Sequence, residues 1–308
     1  MIQEYMQRLR AESIMEVGGG QLVDFIPELA AINPNQLGIA LMNSSGQIWS
    51  AGEAEVGFSI QSISKAIAYI YALKYSCENI TRRVRREAAG HAFNSLIRLE
   101  EERGIPRNPF VNGGALVVSD ILCAIADDPE TDLISFVRSL AGNASIQSDR
   151  RVSDCEYRWG ARNTSIGYLL KSFNNLNYDV EKVLRLYLHN CAINMSCLDL
   201  ARFFAFLVND GRCPVSQEQV ISPEQVRIVT GLFSTCGLYE ESGAFMCEVG
   251  VPTKSGVGGG IVGVLPQGYS FCVWSPALNE HGNSVAGLHF IRRLVKGLAS
   301  FENKDSLT

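Results

Sequence analysis

The chain has 308 residues, 46% of them hydrophobic and 19% charged, with a formal net charge of −5, which is the profile of a soluble globular protein of one large or two modest domains. It has no apolar run of about 18 residues to cross a bilayer, and Met1–Met6 lacks the basic and apolar regions of a secretion signal. Its one basic cluster, Arg82-Arg83-Val84-Arg85-Arg86, has no interleaved aromatics and reads as a solvated helix face, so neither membrane nor nucleic acid is an expected partner.

The nine cysteines are odd in number and include no Cys-x-x-Cys, and the four histidines are scattered. They read as reduced thiols of a cytoplasmic protein and as structural histidines, with no metal or cofactor expected.

Residues 2–16 have helical spacing, and Gly18-Gly19-Gly20 is placed to end that helix. Residues 37–42 read as a buried strand, Asn43-Ser44-Ser45-Gly46 as a hairpin turn and residues 47–51 as the returning strand. Then comes Phe58-Ser59-Ile60-Gln61-Ser62-Ile63-Ser64-Lys65, and after it an apolar run, residues 66–73, that reads as a buried helix. From about 77 to 230 the strand signal vanishes. Helical periodicity marks 94–103, 115–126, 131–140, 165–174, 180–190, 197–209 and 223–231. Two stretches between them look irregular: Gly104 to Gly114, and Ser148 to Thr164 with Glu156, Arg162 and Asn163.

Residues 245–251, 259–264 and 269–274 read as three antiparallel strands, 283–300 as a closing helix and 301–308 as a frayed polar tail. Neither end has enough strands for a sheet of its own. The expected fold is therefore α/β (α+β). An antiparallel sheet domain is built from 1–76 and 232–308, an all-helical domain from 77–231, and the cleft between them is the default site.

Ser62 and Lys65 stand three apart, on one face of a helix. A serine hydroxyl attacks only when a base takes its proton, and a lysine is that base only when burial or a nearby cation lowers its pKa. A helix N-terminus would also favour a developing oxyanion. The pair alone is a weak signal, since the composition yields roughly 0.6 Ser-x-x-Lys by chance. The plainer reading is a polar stripe. A distant Lys254-Ser255-Gly256, followed by Val257-Gly258-Gly259-Gly260, changes the balance. Ser-x-x-Lys on a helix with Lys-Ser/Thr-Gly on a strand is the paired signature of serine acyl enzymes of the penicillin-binding and class A β-lactamase type.

With these, Asn108-Pro109-Phe110-Val111-Asn112, Ala161-Arg162-Asn163 and Cys191-Ala192-Ile193-Asn194-Met195-Ser196-Cys197 resemble the bacterial serine-dependent glutaminases, in order, over about residues 20–300. The resemblance implies a β-lactamase-like fold and hydrolysis of L-glutamine to L-glutamate and ammonia by a homodimer or homotetramer. Ser62 would be the nucleophile and Lys65 the base. Tyr187 and Tyr239 would lie beside them, with Tyr239 relaying a proton to departing ammonia. Lys254 would add positive charge that lowers the pKa of Lys65. The backbone N–H groups of Ser62 and Val257 would form the oxyanion hole. Glu156 would take the substrate ammonium, and Asn112 and Asn163 would bind the amino-acid end.

Taken singly, these residues have blander readings: a helix tyrosine at 187, a solvent-facing lysine at 254, turn asparagines at 112 and 163, a surface acid at 156. Two departures from the family pattern stand out. Arg86–Ala92 precedes Phe93-Asn94-Ser95 where a Pro-Ser-Gly is usual, and Gly113 takes the place of an alanine. Two other functions fit the same residues: a β-lactamase, D-Ala peptidase or esterase on this fold, and a non-catalytic amino-acid sensor.

Overall fold

The apolar runs at the two ends of the chain pair with each other. The computed structural model describes residues 2–17, 19–24, 26–76 and 80–305, without the side chains of residues 16 and 299–305. Its strands are β1 (Gly38–Asn43), β2 (Ile48–Gly52), β3 (Phe58–Ser59), β4 (Gln147–Ser148), β5 (Ile193–Met195), β6 (Thr253–Ser255), β7 (Gly260–Leu265) and β8 (Tyr269–Trp274). The helices of the first half are α1 (Ile2–Ser13), α2 (Pro27–Ala30), α3 (Ser64–Tyr75), α4 (Leu96–Glu101), α5 (Asn112–Ile125), α6 (Pro129–Ala141) and α7 (Arg150–Trp159). They continue with α8 (Ala161–Ser172), α9 (Val180–Cys191), α10 (Cys197–Phe204), α11 (Pro223–Cys236), α12 (Ser242–Val249) and α13 (Val285–Asp305).

The main sheet has the order β2-β1-β8-β7-β6, antiparallel throughout. The N-terminal hairpin joins the C-terminal strands through β1 and β8, with Gly38 opposite Trp274 and Leu41 opposite Phe271. Strand β7 is buried along its whole length, as a strand covered on both faces must be. One face packs on α1 and α13, where Tyr5, Met6 and Leu9 meet Phe290, Ile291 and Leu294. The other packs on α10, where Ser270 Oγ donates to the Ala201 carbonyl at 2.7 Å. The start of α10 is fixed by a capping box in which Ser196 Oγ accepts from Asp199 N–H and Asp199 Oδ2 from Ser196 N–H. Helices α3, α5 and α9 form the helical core with α6 and α8 around them.

Several expectations are corrected. The middle of the chain does contain strands. β5 pairs with both β3 and β4 in a small sheet of order β3-β5-β4, too short for alternation to reveal. Residues 242–249 are a helix, not a strand. Only Ser242 and Phe245 of α12 are buried, and Gly250 ends it at φ 73°. The third strand of that region is the short β6. Residues 150–159 are a helix as well. Asp149 caps α7 by accepting from Arg151 N–H, and with only Val152 buried there was no apolar stripe to read. α13 runs on to Asp305, through part of the presumed tail; residues 306–308 lie outside the described residues, as does Gly18.

The basic cluster is solvated at Arg82, Arg85 and Arg86 but does not form a helix face: it runs on from the 3₁₀ turn Ile80–Arg82. Arg83 turns inward to the buried Asp120, at 2.6 Å, and to the Asn175 carbonyl. Asp120 also accepts the Asn177 and Tyr178 amides, so the charge pair is fully hydrogen-bonded. No described helix is long and apolar enough to cross a membrane.

Candidate active site

Ser62 lies on a 3₁₀ turn, Gln61–Ile63, immediately before α3 rather than within it. The chain leaves β3 and reverses through Gln61, whose φ of 48° is in the left-handed region. The first hydrogen bond of the turn is Ile63 N–H to the Ile60 carbonyl, which leaves the Ser62 amide ahead of the ladder.

The segment after β6 packs directly on this turn. A Cβ on Gly256 would stand 3.2 Å from Ser62 N, and one on Gly258 would stand 2.0 Å from the Ser59 carbonyl oxygen. Only glycine permits that approach. Val257, between them, is partly buried, and its amide donates none of the backbone hydrogen bonds found among the described residues.

Lys65 is 1% exposed. Its Nζ donates to the Phe110 carbonyl at 3.0 Å and to Asn112 Oδ1 at 2.6 Å; none of its hydrogen bonds among the described residues is to Ser62. The rings of Phe93 and Tyr187 flank it, with centroids 5.5 and 5.9 Å from Nζ. Burial lowers its pKa to about 8, against the raising pull of Cys191 and Glu156.

Lys254, wholly buried, donates to the carbonyls of Gly237 and Ser255 and lies 4.9 Å from the Tyr239 ring centroid. Burial, followed by the charge of Lys65, pushes its pKa well below the ordinary lysine value. Burial is the first cause at both lysines, and the repulsion between the two ammonium groups, which is mutual, disfavours charging both at once.

Tyr239 has φ 54° and opens the 3₁₀ turn Tyr239–Glu241. Its buried Oη has the hydroxyls of Ser62 and Ser255 as neighbours and completes a hydrogen bond of full geometry with neither. Burial lifts its pKa to about 12 in spite of those two hydroxyls. Burial likewise raises the pKa of Tyr187 well above the ordinary phenol value, with Cys191 and Glu156 adding to the effect.

Glu156 is on α7, its residue surface partly exposed but its carboxyl enclosed. Burial lifts its pKa to about 7, opposed by the Gln61 hydrogen bond and by Lys65. Gln61 Nε2 donates to Glu156 Oε1 at 2.7 Å, and Asn112 Nδ2 donates to Asn163 Oδ1 at 2.8 Å. Ser62, Lys65, Asn112, Glu156, Asn163, Tyr187, Tyr239, Lys254 and Val257 therefore come together from six stretches of the chain: 62–65, 112, 156–163, 187, 239 and 254–257.

Sequence reading gave no role to four neighbours. Gln61 links Glu156 to Ser59, and Cys191 accepts from Ser64 Oγ at 3.6 Å. Phe93 packs on Tyr239 with ring centroids 4.9 Å apart, and Ser255 borders the phenol. Gln61, Cys191 and Phe93 adjoin or lie within quoted motifs, but only contacts reveal what they do. A separate cavity of about 30 Å³ lies behind Phe93 against His91, Leu99 and Glu102, away from Ser62.

Comparisons with known proteins identify the family. A family model described as glutaminase matches residues 20–301. A glutaminase of Pseudomonas entomophila (strain L48) is 51% identical over 275 residues, 89% of this chain and 90% of that protein. One from Pseudomonas savastanoi pv. phaseolicola is 48% identical over 293 residues, 94% and 97% of the two chains. Among solved structures, a Bacillus glutaminase superposes with a TM-score of 0.87 at 32% identity, covering 97% of this chain and 99% of that one. A Bacillus subtilis glutaminase in covalent complex with 5-oxo-L-norleucine, formed from 6-diazo-5-oxo-L-norleucine, superposes at 0.84 with 30% identity, covering 96% and 98%. A glycine-lined strand set against a serine turn, and a family match over nearly the whole length, lead to one assignment: the chain belongs to the glutaminase family.

Proposed function

We infer that this protein hydrolyses the side-chain amide of L-glutamine to L-glutamate and ammonia through an acyl-enzyme on Ser62. The observation that carries the reading is a wholly buried lysine with a lowered pKa, one turn beyond a serine whose backbone amide is packed against a glycine-rich strand end. The covalent complex of the Bacillus subtilis relative supports an attacking side chain in this family.

In this reading Ser62 Oγ attacks the amide carbon and neutral Lys65 takes the proton. With a pKa of about 8 a useful fraction of Lys65 is neutral near pH 7. The oxygen that becomes negative is met by the N–H groups of Ser62 and Val257, each worth about 3 kcal/mol to the transition state. The proton taken by Lys65 reaches the departing ammonia by way of Tyr239, which ends as the neutral phenol it began as; Tyr187 walls the lysine, and Lys254 supplies nearby positive potential. Water then releases glutamate by the reverse sequence. Glu156 takes the substrate ammonium, while Asn112 and Asn163 hydrogen-bond the amino-acid end.

The remaining proposals are a homodimer or homotetramer, and a cytoplasmic setting supported by the free state of every described cysteine. The test is ammonia release by the purified protein with glutamine, asparagine and glutamate, beside the Ser62→Ala variant. Glutamine should give ammonia with the parent protein and none with Ser62→Ala, which still binds glutamine by calorimetry. Turnover of nitrocefin without ammonia from glutamine would move the chain to the β-lactamase reading, and binding without turnover to that of a sensor.

A further inference from the structure

The turn that carries Tyr239 is held by a buried polar chain that the roles above leave unused. Ser255 Oγ donates to Asn283 Oδ1 at 2.6 Å; its other partner, the Gly237 carbonyl at 3.4 Å, is also an acceptor. Asn283 Nδ2 donates to Glu241 Oε2 at 2.6 Å and to the Leu238 carbonyl at 3.2 Å. Glu241 Oε2 also accepts from Asn279 Nδ2 at 2.8 Å, and Asn279 Oδ1 accepts the backbone amides of His281 and Asn283. Ser255 and Asn283 are both fully buried.

The direction of every bond follows from the groups involved. A carboxylate and a peptide carbonyl only accept, so the NH₂ of Asn283 must face Glu241 and Leu238. Its oxygen must then face Ser255. Ser255 has a single hydrogen, and both partners on that side are acceptors, so the hydrogen goes there. Only lone pairs remain toward the phenol of Tyr239, whose Oη is buried without a completed hydrogen bond.

We propose that Asn283, oriented by Glu241, is a positioning residue that makes Ser255 a pure acceptor, so that Tyr239 turns its O–H toward Ser255 and offers its oxygen to the hydroxyl of Ser62. Before substrate enters, the Ser62 hydrogen then points at the phenol and its lone pairs face the cleft; as the amide is attacked the hydroxyl turns its hydrogen to Lys65 and the phenol its own to the departing nitrogen. No proton has to cross the chain; its polarity alone is set. The proposal rests on the reading of Tyr239 as part of the reactive site.

A double-mutant cycle tests it. Asn283→Ala should lower kcat about tenfold with KM within about twofold of the parent. In a Tyr239→Phe background the same change should cost less than about twofold, because no phenol is left to orient. Glu241→Gln keeps an oxygen for Asn283 Nδ2 and should stay within about threefold of the parent kcat. If Asn283→Ala does not fold, Ser255→Ala against the hydroxyl-retaining Ser255→Thr reads the same link. The alanine variant should lose about tenfold, only when Tyr239 is present, and the threonine variant should not. Equal losses in both backgrounds would make the chain purely structural and overturn the proposal. Parent-like kcat in Tyr239→Phe would also overturn it, while leaving the Ser62 acyl-enzyme in place. Failure of the functional reading itself would look different, as a parent protein that releases no ammonia from glutamine.

Discussion

At the scale of single residues, two buried groups with displaced pKa values set the pH behaviour. Lys65 must lose its proton to act as base, and Glu156 must lose its own to hold an ammonium. Their pKa values of about 8 and about 7 mean that kcat/KM should climb steeply from about pH 6 and level off above about 8. A profile flat across that interval would remove both assignments. Stability has its own signature. The unfolded chain keeps the Lys65 proton up to about pH 10.5 and the folded chain only to about 8, so between those values this group makes folding more favourable as pH rises. Glu156 acts oppositely: between about 4.5 and 7 the folded chain holds its proton more tightly, and stability falls as pH rises. Glu156→Gln should raise KM for glutamine by one to two orders of magnitude, roughly 1.5–3 kcal/mol for a lost charged hydrogen bond, with kcat less affected. Steady-state kinetics at pH 8 decides; an unchanged KM places the ammonium elsewhere. Ser62 and Lys65 were legible in the sequence because their spacing carries chemistry. The bonds of Lys65 to Phe110 and Asn112 were not, because those partners lie about 45 residues away and only packing joins them.

Among the elements, the strand end at Gly256–Gly258 is the most exacting. A methyl at Gly258 would lie 2.0 Å from the Ser59 carbonyl, a backbone atom that cannot turn aside. Gly258→Ala should therefore push the strand end away from the Ser62 turn. Overpacking of this kind costs about 1–3 kcal/mol of stability, and a displaced Val257 amide costs about 10²–10³ in kcat. Thermal melting and ammonia release measure the two effects; a variant with parent-like kcat would take Val257 out of the oxyanion hole. The helices with wide apolar stripes, such as α5 and α9, were readable from periodicity. α7 was hidden because it lies at the surface with a single buried residue, and its capping signal at Asp149 looks like an ordinary turn acid. The strand assigned to 245–251 misled because a short apolar run has no decisive period, and Gly250 closes a helix as readily as it opens a turn.

For the molecule as a whole, one core joins the sheet to the helices. Met42, Val262 and Trp274 belong to the same apolar cluster as Phe203, Phe204, Leu133 and Leu184. Helix α10, from the middle of the chain, covers one face of the main sheet. We propose that the division into 1–76 with 232–308, and 77–231, describes chain topology rather than two units that fold alone. A fragment ending at residue 231 leaves β1 without β8 and should be insoluble or molten by circular dichroism. Cooperative melting of that fragment would refute the proposal. That the two ends build one sheet could be foreseen from strand supply; that a middle helix seals it could not, since α10 reads like any other amphipathic segment.

The pairing of β1 with β8 also bears on how the protein is made. A ribosome finishes β1 more than two hundred residues before β8 exists. Through most of translation the flank of β1 that will receive β8 is therefore bare, an invitation to neighbouring nascent chains, and its shelter arrives only as synthesis ends. Yet the finished fold brings Tyr5 Oη to within 3.0 Å of the Arg293 carbonyl. A rearranged gene that joined the two extremities by a linker and began at β6 would cut the delay between β8 and β1 from more than two hundred residues to about seventy and the linker.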